Sequence, residues 1–235
     1  MYGDNCTSFE KLVNTDCNIV TQCHTRQYHE CKIYSNYNIT HRLSLFSDDS
    51  HVQMIPFYRN FRTDHNVCDK LAISVVGDLS RTKQDILKKI TYDNIKVTHY
   101  YRSCRSELEI KKLDHIDYKY DLSTDELMEE LRNCDYIFVD YAYDDRMSGV
   151  ILHSYSGAIP CIIRKQYADS LNLPSDTYYE LIDDIDSLVQ TLQNNELYQN
   201  ITQNIMSFVS TKNDDYVKFI NSLISHDNNS DTLNS

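Results

Sequence analysis

The sequence predicts an α/β protein built on a parallel sheet, and three observations predict it. From residue 70 onward, short runs rich in Val, Ile and Tyr alternate with stretches of helical pattern, the order that βαβ units produce. One run, LAISVV at 71–76, is almost continuously apolar, as a strand covered on both faces requires. A later helical stretch opens on Ser123-Thr124-Asp125-Glu126, a spacing in which Ser123 and Glu126 satisfy each other's backbone N–H groups.

Taken in chain order, CNIVTQC at 17–23 is a candidate strand, HVQMIPF at 51–57 is a second, and the polar stretch 59–69 reads as a linker. Five runs of strand length and β-forming composition follow: KLAISVVG at 70–77, KVTHYY at 96–101, IDYKYDL at 116–122, DYIFVDY at 135–141 and AIPCIIR at 158–164. A sixth, YYELI, begins at 178. Their Val, Ile and Tyr content suits a pleated, half-buried surface. The 70–76 strand is expected at the centre, between those at 96–101 and 135–141. Helical patterns fill 82–90, 106–113, 125–134, 147–156 and 166–171. Beyond them, 185–193, 196–209 and 215–224 read as amphipathic helices, and the polar end should fray. The expected division is an amino-terminal region at 1–58, a linker at 59–69, the sheet domain at 70–195, carboxyl-terminal helices at 196–225 and a disordered tail at 226–235.

Composition narrows the function classes. With 41% hydrophobic and 25% charged residues, the chain is that of a globular protein. It has no apolar run of 18 residues, and MYGDNCTSFEKL lacks the basic and apolar regions of a signal peptide, so no transmembrane segment and a cytoplasmic setting are expected. Eight cysteines scattered through apparent strands and helices then read as reduced thiols. A net charge of −12 argues against nucleic acid as a partner, because phosphate tracking relies on clustered Lys and Arg. Cys17, Cys23, His24, His29 and Cys31 lack the paired spacing of a structural zinc site, so no metal is expected.

Open parallel sheets bind ligands at the carboxyl ends of their strands, which directs attention to Gly77, Tyr101, residues 141–149 and Arg164. Ser148 and Gly149 open a helix there. Its free N–H groups and positive dipole end suit a phosphate, and Gly149 permits close backbone approach. Arg81 and Lys83 stand at another helix start, where cations are unfavourable unless an anion is present. Gly157 fits a left-handed helix terminator and Pro160 resists helical continuation. His153, among small and apolar neighbours, reads as a partly buried core histidine. No dinucleotide fingerprint, phosphate-binding lysine loop, nucleophile elbow or H-E-x-x-H is present.

Three segments in this order, HVQMIPF, KLAISVVGDLSRTK and DDRMSGVILHSYSGAIPCII, resemble the donor-binding half of a glycosyltransferase of the GT-B type. The resemblance covers residues 52–195. It implies a Rossmann-like parallel sheet with flanking helices, as in the carboxyl-terminal half of the GT-B fold, with 1–58 as a shortened remnant of the acceptor domain. It also implies a nucleotide-diphosphate sugar donor and a glycan or other acceptor that the sequence does not name. Gly77, Arg81 and Lys83 would meet the diphosphate, Asp144 and Asp145 the sugar or ribose, and Ser148 and Gly149 the donor, with no cofactor and no metal. Retaining members of that family carry Glu-x7-Glu across the corresponding helix, whereas this chain has no Glu from Met147 to Tyr179 and has Leu152 or His153 where the second would fall. Catalytic residues are therefore not assigned. The rival expectation is a non-catalytic Rossmann-like module that binds a nucleotide, or a protein partner through its amino-terminal region. A flavodoxin-like regulatory domain fits the trailing helices less well.

Overall fold

A strand that is apolar on both faces must be covered on both faces, so LAISVV has to lie inside a sheet rather than at its edge. In the computed structural model, which describes residues 20–23, 37–40, 50–52, 67, 70–77, 84–101, 112–140, 149–171 and 173–230, it does. The described residues fall into two compact units. One contains three short parallel strands, β1 (Val20–Cys23), β2 (Tyr37–Thr40) and β3 (Ser50–Val52), in the order β1-β2-β3. β1 falls within the run expected at 17–23, β3 overlaps only the first two residues of the run expected at 51–57, and β2 was not anticipated.

The other unit is built on six strands: β4 (Leu71–Val76), β5 (Ile95–Tyr101), β6 (Ile116–Tyr120), β7 (Tyr136–Val139), β8 (Cys161–Ile163) and β9 (Tyr178–Glu180). All pairings are parallel, and the order is β6-β5-β4-β7-β8-β9. β4 pairs with β5 on one side and β7 on the other, as its composition demanded. β7 and β8 are buried throughout, whereas edge strand β6 buries only Ile116 fully and exposes Asp117, Lys119 and Tyr120. Charged residues on an edge strand discourage pairing with another chain.

Helix α1 (Thr124–Leu131) starts where the capping box said it would. The Ser123 hydroxyl accepts from Glu126 N–H, and the Glu126 carboxylate accepts from Ser123 N–H at 2.8 Å. α2 (Gly149–Ser156) is apolar on most sides and packs against β7. α3 (Lys165–Ser170) and α4 (Ile185–Leu192) follow β8 and β9. Under α4 and the last helix, Tyr136 meets Tyr179 and Tyr198 edge to face at 5.2 and 5.6 Å between centroids. The Tyr136 hydroxyl donates to the Leu192 carbonyl, so its polar end is satisfied in the core.

Several local expectations change. Among residues 84–90, expected to be helical, only a 3-10 turn forms, Leu87–Lys89. Burying Ile86, Leu87 and Ile90 together turns the chain at Ile90, with ψ 79°. The Leu87 carbonyl, which a continuing helix would need, accepts from Ile90 N–H and from His115 Nε2 instead. The two helices expected at 196–209 and 215–224 are one, α5 (Asn195–Ser230). STKND between them has neither Gly nor Pro, and such polar residues cost a helix only about 0.5 kcal/mol each. The helix expected at 106–113 lies almost wholly outside the described residues.

The end of α2 is also a correction. The left-handed residue is Ala158, φ 50°, and not Gly157. Ile159 N–H donates to the Ser154 carbonyl at 2.9 Å and Ala158 N–H to that of Tyr155 at 3.2 Å, the pair of bonds of a Schellman cap centred one residue later than expected. Gly157 serves space rather than conformation, since a Cβ there would lie 3.0 Å from Ile159 Cδ1.

Candidate functional site

In the strand order, β4 and β7 are neighbours from which the connections run in opposite directions: β5 and β6 lie to one side, β8 and β9 to the other. The loops leaving the carboxyl ends of such a pair diverge and open a crevice, where open α/β sheets bind ligands. Gly77 follows β4, and Gly149 begins the helix after β7. These two expected site residues thus belong to the connections that leave the two strands of the reversal. Arg81, Lys83, Asp144, Asp145 and Ser148 lie outside the described residues.

Gly77 has φ 128°, a region that favours glycine. Strand β5 holds it from both sides of its peptide. Gly77 N–H donates to the Tyr100 carbonyl at 2.9 Å, and its own carbonyl lies 3.0 Å from His99 Nε2. A carbonyl oxygen only accepts, so Nε2 is the donor. His99 is buried, stacks on Tyr118 at 5.9 Å and meets Tyr101 edge-on at 6.0 Å. Lys112 Nζ lies 5.2 Å from the Tyr118 ring centre and 5.5 Å from that of Tyr101, a cation over two aromatic faces. At Gly149 a Cβ would meet nothing within 4 Å, so none of the described neighbours demands glycine there.

On the other side of the reversal, Asp140 leaves β7 with its side chain 1% exposed. Arg164, just past β8, donates Nε to Asp140 Oδ1 at 3.0 Å and Nη2 to Oδ2 at 3.3 Å, the two-pronged geometry that suits a guanidinium and a carboxylate. Its Nη1 reaches exposed Asp183 at 3.4 Å. His99 and Asp140 were not singled out from the sequence. The acid that ends the apolar run YIFV is the only local signal of the ion pair, and His99 gives none.

Among the described residues two cysteines, Cys134 and Cys161, are buried, and the Cys134 thiol donates to the Leu131 carbonyl. Burial pushes the Cys161 thiol up to about 12, which removes it as a nucleophile at neutral pH. Burial also lowers the pKa of His153, half-buried on α2. Among the described residues, no group of three or more His, Cys, Asp or Glu is placed to hold a metal ion. None of their helices is long and apolar enough to cross a membrane.

No protein-family model matches the chain, and no curated protein does. Solved structures do match. A glycosyltransferase from Rickettsia africae ESF-5 superposes with a TM-score of 0.63 at 11% identity, over 93% of this chain and 74% of its own. Anabaena Alr3699/HepE, solved in complex with UDP and glucose, gives 0.56 at 10% identity over 87% and 72%. The fold is that of GT-B glycosyltransferases. At these identities the likeness is one of fold. The chain spans 46% of the length of a trehalose-6-phosphate synthase and 60% of SnogD from Streptomyces nogalater, which it also matches.

Proposed function

We propose that the protein is a glycosyltransferase, or a close functional relative of one, that takes the nucleotide-diphosphate end of a sugar donor at the carboxyl ends of β4 and β7. The observation that carries this reading is the order reversal between those strands in a GT-B fold, with Gly77 after one and the Gly149 helix start after the other. Arg81 and Lys83, in the segment that leaves Gly77, hold the diphosphate. Asp144 and Asp145 contact the sugar or ribose, and the amides of Ser148 and Gly149 face the donor. Leaving-group charge is met by these cations and by the helix dipole, which requires no metal. Residues 1–58 serve the acceptor side, where a glycan or a protein partner docks, and the setting is the cytoplasm. A second reading, a nucleotide-binding module without transfer activity, is favoured by the lack of any Glu from Met147 to Tyr179.

Arg81→Ala combined with Lys83→Ala tests the site. Charge-assisted bonds to phosphate contribute about 1.5 to 3 kcal/mol each, whereas substitutions that touch no such contact usually stay within about 0.5 kcal/mol of parent stability. Calorimetric titration with UDP, GDP and their sugars should show affinity at least tenfold lower in the double variant at unchanged thermal stability. Unchanged affinity removes these residues from the site. Nucleotide binding by the parent with no sugar turnover selects the module.

A further inference from the structure

We propose that His99 is a positioning residue: its Nε2–H holds the Gly77 carbonyl and so fixes the peptide by which the chain leaves the carboxyl end of β4. The proposal rests on the donor reading above and adds to it a residue from a different strand. A peptide at φ 128° has no side chain of its own to fix it. It is fixed instead by two bonds from consecutive residues of β5, the Tyr100 carbonyl on its N–H and His99 on its carbonyl. The ring that makes the second bond is itself held. His99 is 1% exposed, with Tyr118 against its face at 5.9 Å and Tyr101 at its edge at 6.0 Å. Tyr118 is tied in turn, since its hydroxyl accepts from Leu113 N–H at 2.9 Å. A buried imidazole with so little freedom presents its proton in one direction, and that direction is the Gly77 carbonyl. Recognition of a phosphate at the carboxyl end of β4 depends on how the Gly77 peptide is set, because displacements of about 1 Å are enough to weaken such contacts.

The test compares His99→Leu, which keeps apolar volume but has no donor, with His99→Gln, which keeps one. Two quantities are read: amide hydrogen exchange by NMR, residue by residue along β4, and UDP affinity by calorimetry. The leucine variant should exchange Gly77 N–H at least tenfold faster while Val75, inside the strand, keeps its rate. It should also bind UDP at least fivefold more weakly. The glutamine variant should recover most of both. A merely structural role would raise exchange equally along β4 and would not distinguish glutamine from leucine. Normal Gly77 exchange, or parent-like UDP affinity, in the leucine variant overturns the proposal and leaves the donor reading intact. Absence of UDP binding in the parent overturns the donor reading, and with it the binding role of His99.

Discussion

The two sides of the six-stranded sheet fasten their carboxyl ends by different chemistry. On the β4–β5 side a single hydrogen bond joins the His99 ring to the Gly77 backbone at 3.0 Å, within an aromatic pack. On the β7–β8 side a two-pronged ion pair joins Asp140 to Arg164. The strands differ in the same sense. β7 and β8 are sealed on both faces, whereas β6 at the far edge leaves Tyr120 60% exposed. Burial is therefore complete in β7 and β8, and the exposed aromatic surface of the first half lies at its outer edge, away from the reversal.

The sharpest way to break this comparison is to remove an aromatic ring from each side. Phe138, on β7, is 0% exposed. Phe138→Ala deletes a ring from a site with no room to relax, which costs about 4 kcal/mol. Tyr120→Ala should stay within about 0.5 kcal/mol, the range for surface substitutions. Urea midpoints at equal m-values measure both. Similar losses in the two variants would show that the halves are not unequal.

The ion pair offers a second, smaller contrast because its partners are unequally buried. Arg164 has 35% of its side chain exposed and Asp140 has 1%. Arg164→Met strips the guanidinium from a carboxylate that water cannot reach, at a cost of about 3 kcal/mol. Asp140→Asn leaves a guanidinium that still reaches solvent and Asp183, and should cost about half as much. Asp183→Asn removes only an exposed contact of 3.4 Å and should be nearly neutral. Thermal unfolding of the three variants gives the ranking, and an Asp140→Asn loss larger than that of Arg164→Met would contradict the burial argument.

What the sequence revealed follows from the range of the forces involved. The placement of β4 between β5 and β7 was legible because an apolar run states its own burial, and α1 was legible because Ser123 and Glu126 are three residues apart. The two fastenings were not. His99 and Gly77 are 22 residues apart and Arg164 and Asp140 are 24, so each contact exists only once the strand order is known. Of the expected site residues, Gly77 and Gly149 are described, and both belong to connections leaving the reversal. The helix expected at 82–90, which among residues 84–90 gives way to a 3-10 turn, was misread for the same reason, because a distant histidine, His115, takes part in ending the turn.

The smallest expected effect separates two explanations of the turn that brings the chain from α2 into β8. Gly157 looked like the left-handed residue, yet Ala158 has φ 50°. Left-handed backbone costs an alanine about 1 to 2 kcal/mol, so Ala158→Gly gains by relief of that strain. Against this, it loses a methyl that is 2% exposed, worth about 0.8 kcal/mol, and it adds about 0.5 to 1 kcal/mol of unfolded-state entropy. These contributions nearly cancel, and the variant should lie within about 0.5 kcal/mol of the parent. Gly157→Ala gains in unfolded-state entropy but sets a Cβ 3.0 Å from Ile159 Cδ1 and 3.2 Å from Cγ1, and overpacking of this kind should leave a net loss of about 1 kcal/mol. If Gly157 were the left-handed residue, Ala158→Gly would relieve no strain and would lose about 1.5 kcal/mol from the methyl and the entropy alone. Chemical denaturation resolves that difference, and a loss of that size in Ala158→Gly would return the left-handed position to Gly157.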